Sequence, residues 1–217
     1  MKLSDYVANF VVRQQVKHVF MLSGGGAMHL NDSFGHAEGL EYVCVLHEQA
    51  AAVAAEAYAR VSQNLGVALV TTGPGGSNAV TGAVAAWLDS TPCLFFSGQV
   101  KRSDSARYTP LRQLGVQELD IVSIVTAVTK YAVTVSDPST IRFHLEKATH
   151  LARSGRPGPV WLDIPLDVQA AEIDLETLSG YVPEPVAAQG GLLQQSVAQT
   201  LQALARAERP IRWACPC

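Results

Sequence analysis

Apolar residues recur along the first 165 positions with two alternating periods. Leu3, Val7, Phe10, Val11 and Val12 follow the 3.6-residue spacing of an amphipathic helix over Leu3 to Val16. His18-Val19-Phe20-Met21 is instead a short continuous run that stops at Ser23-Gly24-Gly25-Gly26, which predicts a buried strand. The alternation continues with a helix over Met28 to Ala37, a strand over Tyr42 to Leu46 and an Ala-rich helix over Glu48 to Val61. Val67 to Thr71 is the third strand, and Gly73-Pro74-Gly75-Gly76 turns the chain into a helix running to Leu88. Leu94-Phe95-Phe96 is the fourth strand. A polar stretch from Gly98 to Gln117, long for a connection inside a domain, marks a functional or contact loop. A helical segment over Glu118 to Val125, a strand over Tyr131 to Val135, a helix over Thr140 to Arg153 and a strand over Val160 to Ile164 complete the series.

Short apolar strands separated by helices are the pattern of a parallel sheet covered on both faces. The expected fold is therefore doubly wound α/β, with a mostly parallel six-stranded sheet. Residues 166–190 read as a linker, with Pro183, Pro185 and a Gln-Gly-Gly at its end, and 191–217 as the opening of a second domain led by a helix over Leu192 to Ala207. After Ile211 the sequence Arg212-Trp213-Ala214-Cys215-Pro216-Cys217 forms neither strand nor glycine turn, so a premature stop or frameshift there is the expectation.

Composition narrows the function classes. The chain is 48% hydrophobic and 16% charged, with 16 Lys+Arg against 19 Asp+Glu and a net charge of −3. That balance offers no basic stripe for nucleic acid and no polybasic face for a membrane. Four scattered cysteines give no disulfide framework, and the acidic Asp5 stands where a signal peptide would be apolar. A soluble cytoplasmic protein is expected.

In an open parallel sheet, ligands bind beyond the carboxyl ends of the strands, which points to Ser23–Ala27, His47-Glu48 and Thr71–Asn78. Neither glycine run is a P-loop, and both fail the dinucleotide fingerprint: Asn78 and His29 occupy its third glycine position. An oxidoreductase of that type is therefore disfavoured, and tight strand-to-helix turns are the plain alternative. Glu48 is more informative. A carboxylate among Leu46 and the run Ala50 to Ala55 tends toward a raised pKa suited to acid–base work, although the first helical turn favours the anion. Its plain alternative is an ordinary helix-start carboxylate. The six histidines show no repeated metal-ligand spacing, and no Gly-x-Ser-x-Gly elbow is present.

Taken in order, several segments resemble the N-terminal pyrimidine-binding domain of thiamine-diphosphate enzymes of the acetolactate synthase and pyruvate oxidase group. They are Val19-Phe20, His47-Glu48-Gln49 with Ala54 to Arg60, Thr71 to Asn78, Leu88 to Pro92, Ser97 to Val100, Gln117-Glu118 and Ser154 to Val160. The resemblance runs from Leu3 to Gln169. It implies that Glu48 hydrogen-bonds N1′ of the aminopyrimidine ring, favouring the imino form whose N4′ takes the C2 proton of the thiazolium. The cofactor then acts as electron sink while a 2-oxo acid loses CO₂, with carboligation to a second carbonyl or protonation to an aldehyde. By the same resemblance Thr71, Pro74 and Asn78 lie beside the pyrimidine, Gln117 lies near the reacting centre, and Gly24, Gly25 and Gly26 form the loop that closes on the cofactor.

The diphosphate and Mg²⁺ of this family are held by another domain through Gly-Asp-Gly and a later Asn, and no Gly-Asp pair occurs in this sequence. The chain is thus expected to be inactive alone. It would pair as a homodimer or homotetramer, or with a separately encoded diphosphate-binding subunit; FAD stays open as an additional group. Two departures, Leu22-Ser23 for the usual Tyr-Pro and Val116 for the usual phenylalanine, keep 2-hydroxyacyl-CoA or oxalyl-CoA lyase-like chemistry, or a sugar-modifying one, as alternatives.

Overall fold

In the computed structural model, residues 1–107, 109–185 and 190–210 are described. The tail Ile211–Cys217, with Cys215 and Cys217, lies outside them. The elements in order are α1 (Leu3–Arg13), β1 (His18–Met21), α2 (Met28–His36), β2 (Glu41–Cys44), α3 (Glu48–Ser62), β3 (Gly66–Val70) and α4 (Pro74–Leu88). They are followed by β4 (Cys93–Gln99), α5 (Ile121–Val125), β5 (Tyr131–Thr134), α6 (Ile141–Arg153), β6 (Val160–Pro165), the single turn α7 (Leu166–Gln169) and α8 (Gly190–Arg206).

The six strands form one sheet in the order β2-β1-β3-β4-β6-β5, and every pairing is parallel. This is the doubly wound arrangement that the pattern predicts. Alternate residues of each central strand feed two separate cores. Val67, Leu69, Leu94, Phe96, Val160 and Leu162 pack with α1, α2 and α6 on one face. Ala68, Val70, Phe95 and Trp161 pack with α3, α4 and α5 on the other. Being buried on both faces, β3, β4 and β6 read as continuous apolar runs rather than alternating ones.

Three details depart from the reading of the sequence. All four residues of β2 are exposed, because it is an edge strand reached by packing on one side only. The helix expected from Glu118 begins at Ile121, where Asp120 caps it by accepting from the Ser123 amide at 3.1 Å. The segment expected as a linker from residue 166 belongs, through Tyr181, to the first of two compact units, Met1–Tyr181 and Val182–Cys217. Its backbone bonds to the N-terminus, Leu3 N to Ala171 O at 2.8 Å and Ile173 N to Met1 O at 2.9 Å, while Val168, Ile173 and Leu178 join the core. Within the second unit, α8 exposes Leu193, Val197, Leu201 and Leu204 along one stripe.

Candidate functional site

Two helix starts frame the site. His47 caps α3, its ring nitrogen accepting from the Gln49 amide at 3.2 Å, and Glu48 is the first helical residue. Pro74 opens α4, where its lost N–H would have had no partner and its fixed φ suits the first turn. The preceding Gly73 takes φ +60°, a conformation costly for any residue with a Cβ.

These turns bring Glu48 and Asn78 together. The Asn78 amide donates to Glu48 Oε2 at 3.0 Å, and Glu48 is 8% exposed. Among the described residues Oε1 has no donor. A Cβ placed on Gly75 would stand 3.3 Å from that oxygen and 2.7 Å from Thr71 Cγ2. Glycine lets α4 pass this close to the carboxylate, with the Thr71 methyl packed against the same spot.

The loop after β1 closes on the loop after β3, at the place where the sheet order reverses between β1 and β3. The Gly26 amide donates to Thr71 Oγ1 at 3.1 Å, and a Cβ on Gly24 would clash with the Thr71 side chain at 2.5 Å. Gly25 has no neighbour near its Cβ position. Gln117, at φ +59°, lays its carbonyl against Gly73 and keeps an exposed side chain. Glu48, Thr71, Pro74, Asn78, Gly24, Gly26 and Gln117 are thus linked by successive contacts or chain neighbours, with Gly25 at the exposed tip.

Three further residues hold this arrangement, and Thr72 lies within it. Gln169 is fully buried; its amide nitrogen donates to Gly26 O at 2.8 Å and Ile164 O at 2.7 Å, anchoring the glycine loop to the end of β6. Asn31 donates to Gly24 O at 3.2 Å. Thr72 Oγ1 and Asn31 Oδ1, both beside this loop, are buried without partners. Glu118 accepts from Ser105 Oγ and the amides of Ala106, Leu114 and Gly115 at 2.7–3.2 Å, binding the long loop into one piece just before Gln117 is reached from Gly115. Burial opposes ionisation of Glu118, yet these donors outweigh it and hold its pKa below the usual carboxylate value. Thr72 and Glu118 sit inside the motifs quoted above, whereas Asn31 lies outside every one of them, and Gln169 carries no local signal, since Gly26 is 143 residues away.

A second buried carboxylate lies at the carboxyl end of β6. Asp163 accepts from Ser97 at 2.6 Å and from Gln99 and Thr134 at 3.2 Å, and burial raises its pKa to about 7. It stitches β4, β5 and β6 together.

The site fits an aminopyrimidine ring: one buried carboxylate, one of its oxygens held by an amide, the other free beside a glycine that a Cβ would close. Among the described residues no group of three His, Cys, Asp or Glu could hold a metal ion, and no helix is long and apolar enough to cross a membrane.

Similarity to known proteins identifies the family. The family model for the thiamine pyrophosphate enzyme N-terminal TPP-binding domain matches residues 1–124. An acetolactate synthase of Arthrospira platensis is 43% identical over 165 residues, 75% of this chain and 28% of that protein. The isozyme 3 large subunit of Escherichia coli (strain K12) is 39% identical over 76% of this chain and 28% of its own length. A probable acetolactate synthase large subunit of Methanocaldococcus jannaschii is 35% identical over 97% of this chain and 35% of its own. The chain spans between a quarter and about a third of these relatives. With more than half of its residues matched, the chain belongs to the family of thiamine pyrophosphate enzyme N-terminal TPP-binding domains.

Proposed function

We propose that this chain supplies the pyrimidine-binding half of a thiamine-diphosphate enzyme acting on small 2-oxo acids, of the acetolactate synthase-like transferase or lyase type. The observation that carries the reading is Glu48: buried, tied on one oxygen by Asn78, free on the other beside Gly75. Thiamine diphosphate, when bound, supplies an electron sink for cleaving and forming bonds at a carbonyl carbon. Glu48 Oε1 would accept the hydrogen bond of a protonated ring nitrogen, and Asn78 would hold the carboxylate in the orientation that contact needs. Thr71 and Pro74 would border the ring, and Gly24–Gly26 would line its other side. Gln117 would stand toward the reacting carbonyl.

The diphosphate and Mg²⁺ would be held by another domain, from the rest of a longer chain or from a separate subunit, in a cytoplasmic homodimer or homotetramer. FAD binding would belong to that remainder. The decarboxylation and carboligation chemistry rests on the length of relatives that this chain does not span.

The test mixes the chain with the diphosphate-binding domain of an acetolactate synthase, thiamine diphosphate and Mg²⁺, and follows exchange of the C2 proton for deuterium by NMR. Glu48→Gln should slow exchange by roughly 100-fold, the lower range for a positioned acid or base. Exchange no faster than in the free cofactor, or unaffected by Glu48→Gln in a folded chain, would overturn the assignment.

A further inference from the structure

Gln169, the last residue of α7, is fully buried, and among the described residues its amide bonds only to main chain. Nε2 donates to Gly26 O at 2.8 Å and to Ile164 O at 2.7 Å, and Oε1 accepts from the Leu30 amide at a longer 3.4 Å. Both donors and the acceptor of the side chain are thus engaged in three separate places: the glycine loop, the end of β6 and the first turn of α2. Burying a primary amide carries a cost that only such full pairing offsets.

The neighbouring strand leaves room for this grip. Gly98 of β4 is the register partner of Ile164, and a Cβ on it would clash with Gly26 O and stand 2.7 Å from the Ala27 nitrogen. The glycine loop therefore lies directly on the paired ends of β4 and β6, and Gln169 holds its carbonyl there. From Gly26 the contacts lead to the site. Its amide donates to Thr71 Oγ1 at 3.1 Å, and Thr71 Cγ2 packs at the Gly75 position that borders Glu48 Oε1. Gln169 stands at the far end of this series and makes no hydrogen bond to Glu48 or Asn78.

We infer that Gln169 is a positioning residue for the cofactor: it holds the Gly26 peptide against Gly98 and so sets how closely Gly24–Gly26 close on the aminopyrimidine. The inference rests on the function proposed above. Because Gln169 acts through the loop backbone, it governs how tightly the ring is enclosed and leaves proton transfer to Glu48. A contact made equally well before and during the chemical step changes the cofactor concentration needed, not the rate at saturation. The same turn carries a second tie, Asp167 accepting from the Arg102 amide at 3.0 Å and from its Nε at 2.7 Å. That pair is partly exposed and reaches the long loop instead, so it serves as a control within α7.

The test follows C2 proton exchange of thiamine diphosphate by NMR over a range of cofactor concentrations, with the chain mixed with the diphosphate-binding domain of an acetolactate synthase and Mg²⁺. Gln169→Met, close in length and without donors, should raise the half-saturating concentration about tenfold, the equivalent of one net hydrogen bond. The saturated rate should stay within about twofold of the unsubstituted chain. Gly98→Ala should do the same by pushing on the loop without touching Gln169, so either variant decides if the other fails to fold. Asp167→Asn should change neither value by more than about twofold. In the chain alone, exchange of the Gly26 amide should quicken about tenfold in both loop variants while that of Val67 to Val70 stays unchanged. A folded Gln169→Met or Gly98→Ala with unchanged half-saturation or unchanged Gly26 exchange would overturn the inference. So would a saturated rate lowered as far as in Glu48→Gln, or an Asp167→Asn effect as large as theirs. No exchange in the unsubstituted mixture would overturn the proposed function and this inference with it, whereas intact exchange with unmoved half-saturation overturns the inference alone.

Discussion

The side-chain amide of Asn78 donates to the Glu48 carboxylate across 3.0 Å, joining the second turn of α4 to the first residue of α3. Thirty residues separate the two, so the contact exists only because both helices start at the same end of the sheet. Removing the amide should leave a buried carboxylate with no donor. Asn78→Ala is expected to cost about 1–3 kcal/mol. Asn78→Asp should cost more, and more at pH 8 than at pH 5, because it sets two carboxylates face to face. Thermal melts of both variants at the two pH values check this.

The α3–α4 pair can be probed by one methyl group. A Cβ on Gly82 would lie 2.7 Å from the Ala52 backbone, and a backbone cannot step aside as a side-chain tip can. Gly82→Ala should therefore destabilise by about 1–3 kcal/mol or more. Gly35, inside α2, has open space at the same position. Gly35→Ala should stabilise by about 0.4–1 kcal/mol, by restricting the unfolded chain. Denaturant midpoints of the two variants should move in opposite directions.

Asp163 gives the fold a pH dependence of definite sign. Its pKa is about 7 in the folded chain and 3.8 in an unfolded reference, so the fold favours the protonated acid. That contribution is complete below pH ~4 and is lost as pH climbs toward ~7, by roughly 4 kcal/mol at most. Stability measured by denaturant at pH 4.5 and 7.5 should fall accordingly. Asp163→Asn, neutral at every pH, should flatten the slope; an unchanged slope would assign it elsewhere.

Glu118 should act on its loop more than on the whole chain. Four donors from Ser105, Ala106, Leu114 and Gly115 converge on its two oxygens. Glu118→Ala frees three backbone amides at once, and hydrogen exchange at Ala106, Leu114 and Gly115 should accelerate well before that of β4 or β6. Because the folded pKa is depressed, the staple holds above the unfolded carboxylate value and weakens as pH falls through its own. Protection of these amides should decline at acid pH in the native chain as well.

Much of this molecule was legible along the chain. Apolar runs such as Val67 to Val70 and Leu94 to Phe96 are short, and glycine or proline stops them, so they cannot be helices; the stretches between them carry the helical period. That alternation admits hardly any fold but a parallel sheet with two helical layers, and such a sheet places Gly24–Gly26, Glu48 and Thr71–Asn78 at one end. Local pattern therefore pointed to that end of the sheet, and the resemblance to a known family is what proposed roles for the residues there.

What no local pattern could supply is which atoms meet. Gly26 bonds Thr71, Gln169 anchors Gly26 from 143 residues away, and Gln117 rests on Gly73 across a long loop. The compact unit runs to Tyr181 because Ala171 and Ile173 meet the backbone of Met1 and Leu3. The sequence by itself determined periodicity, and periodicity chose the elements, the fold class and the end of the sheet where the site lies. Only the tertiary structure decided the pairings between distant residues, because a hydrogen bond depends on tenths of an ångström that are set when all the layers pack at once.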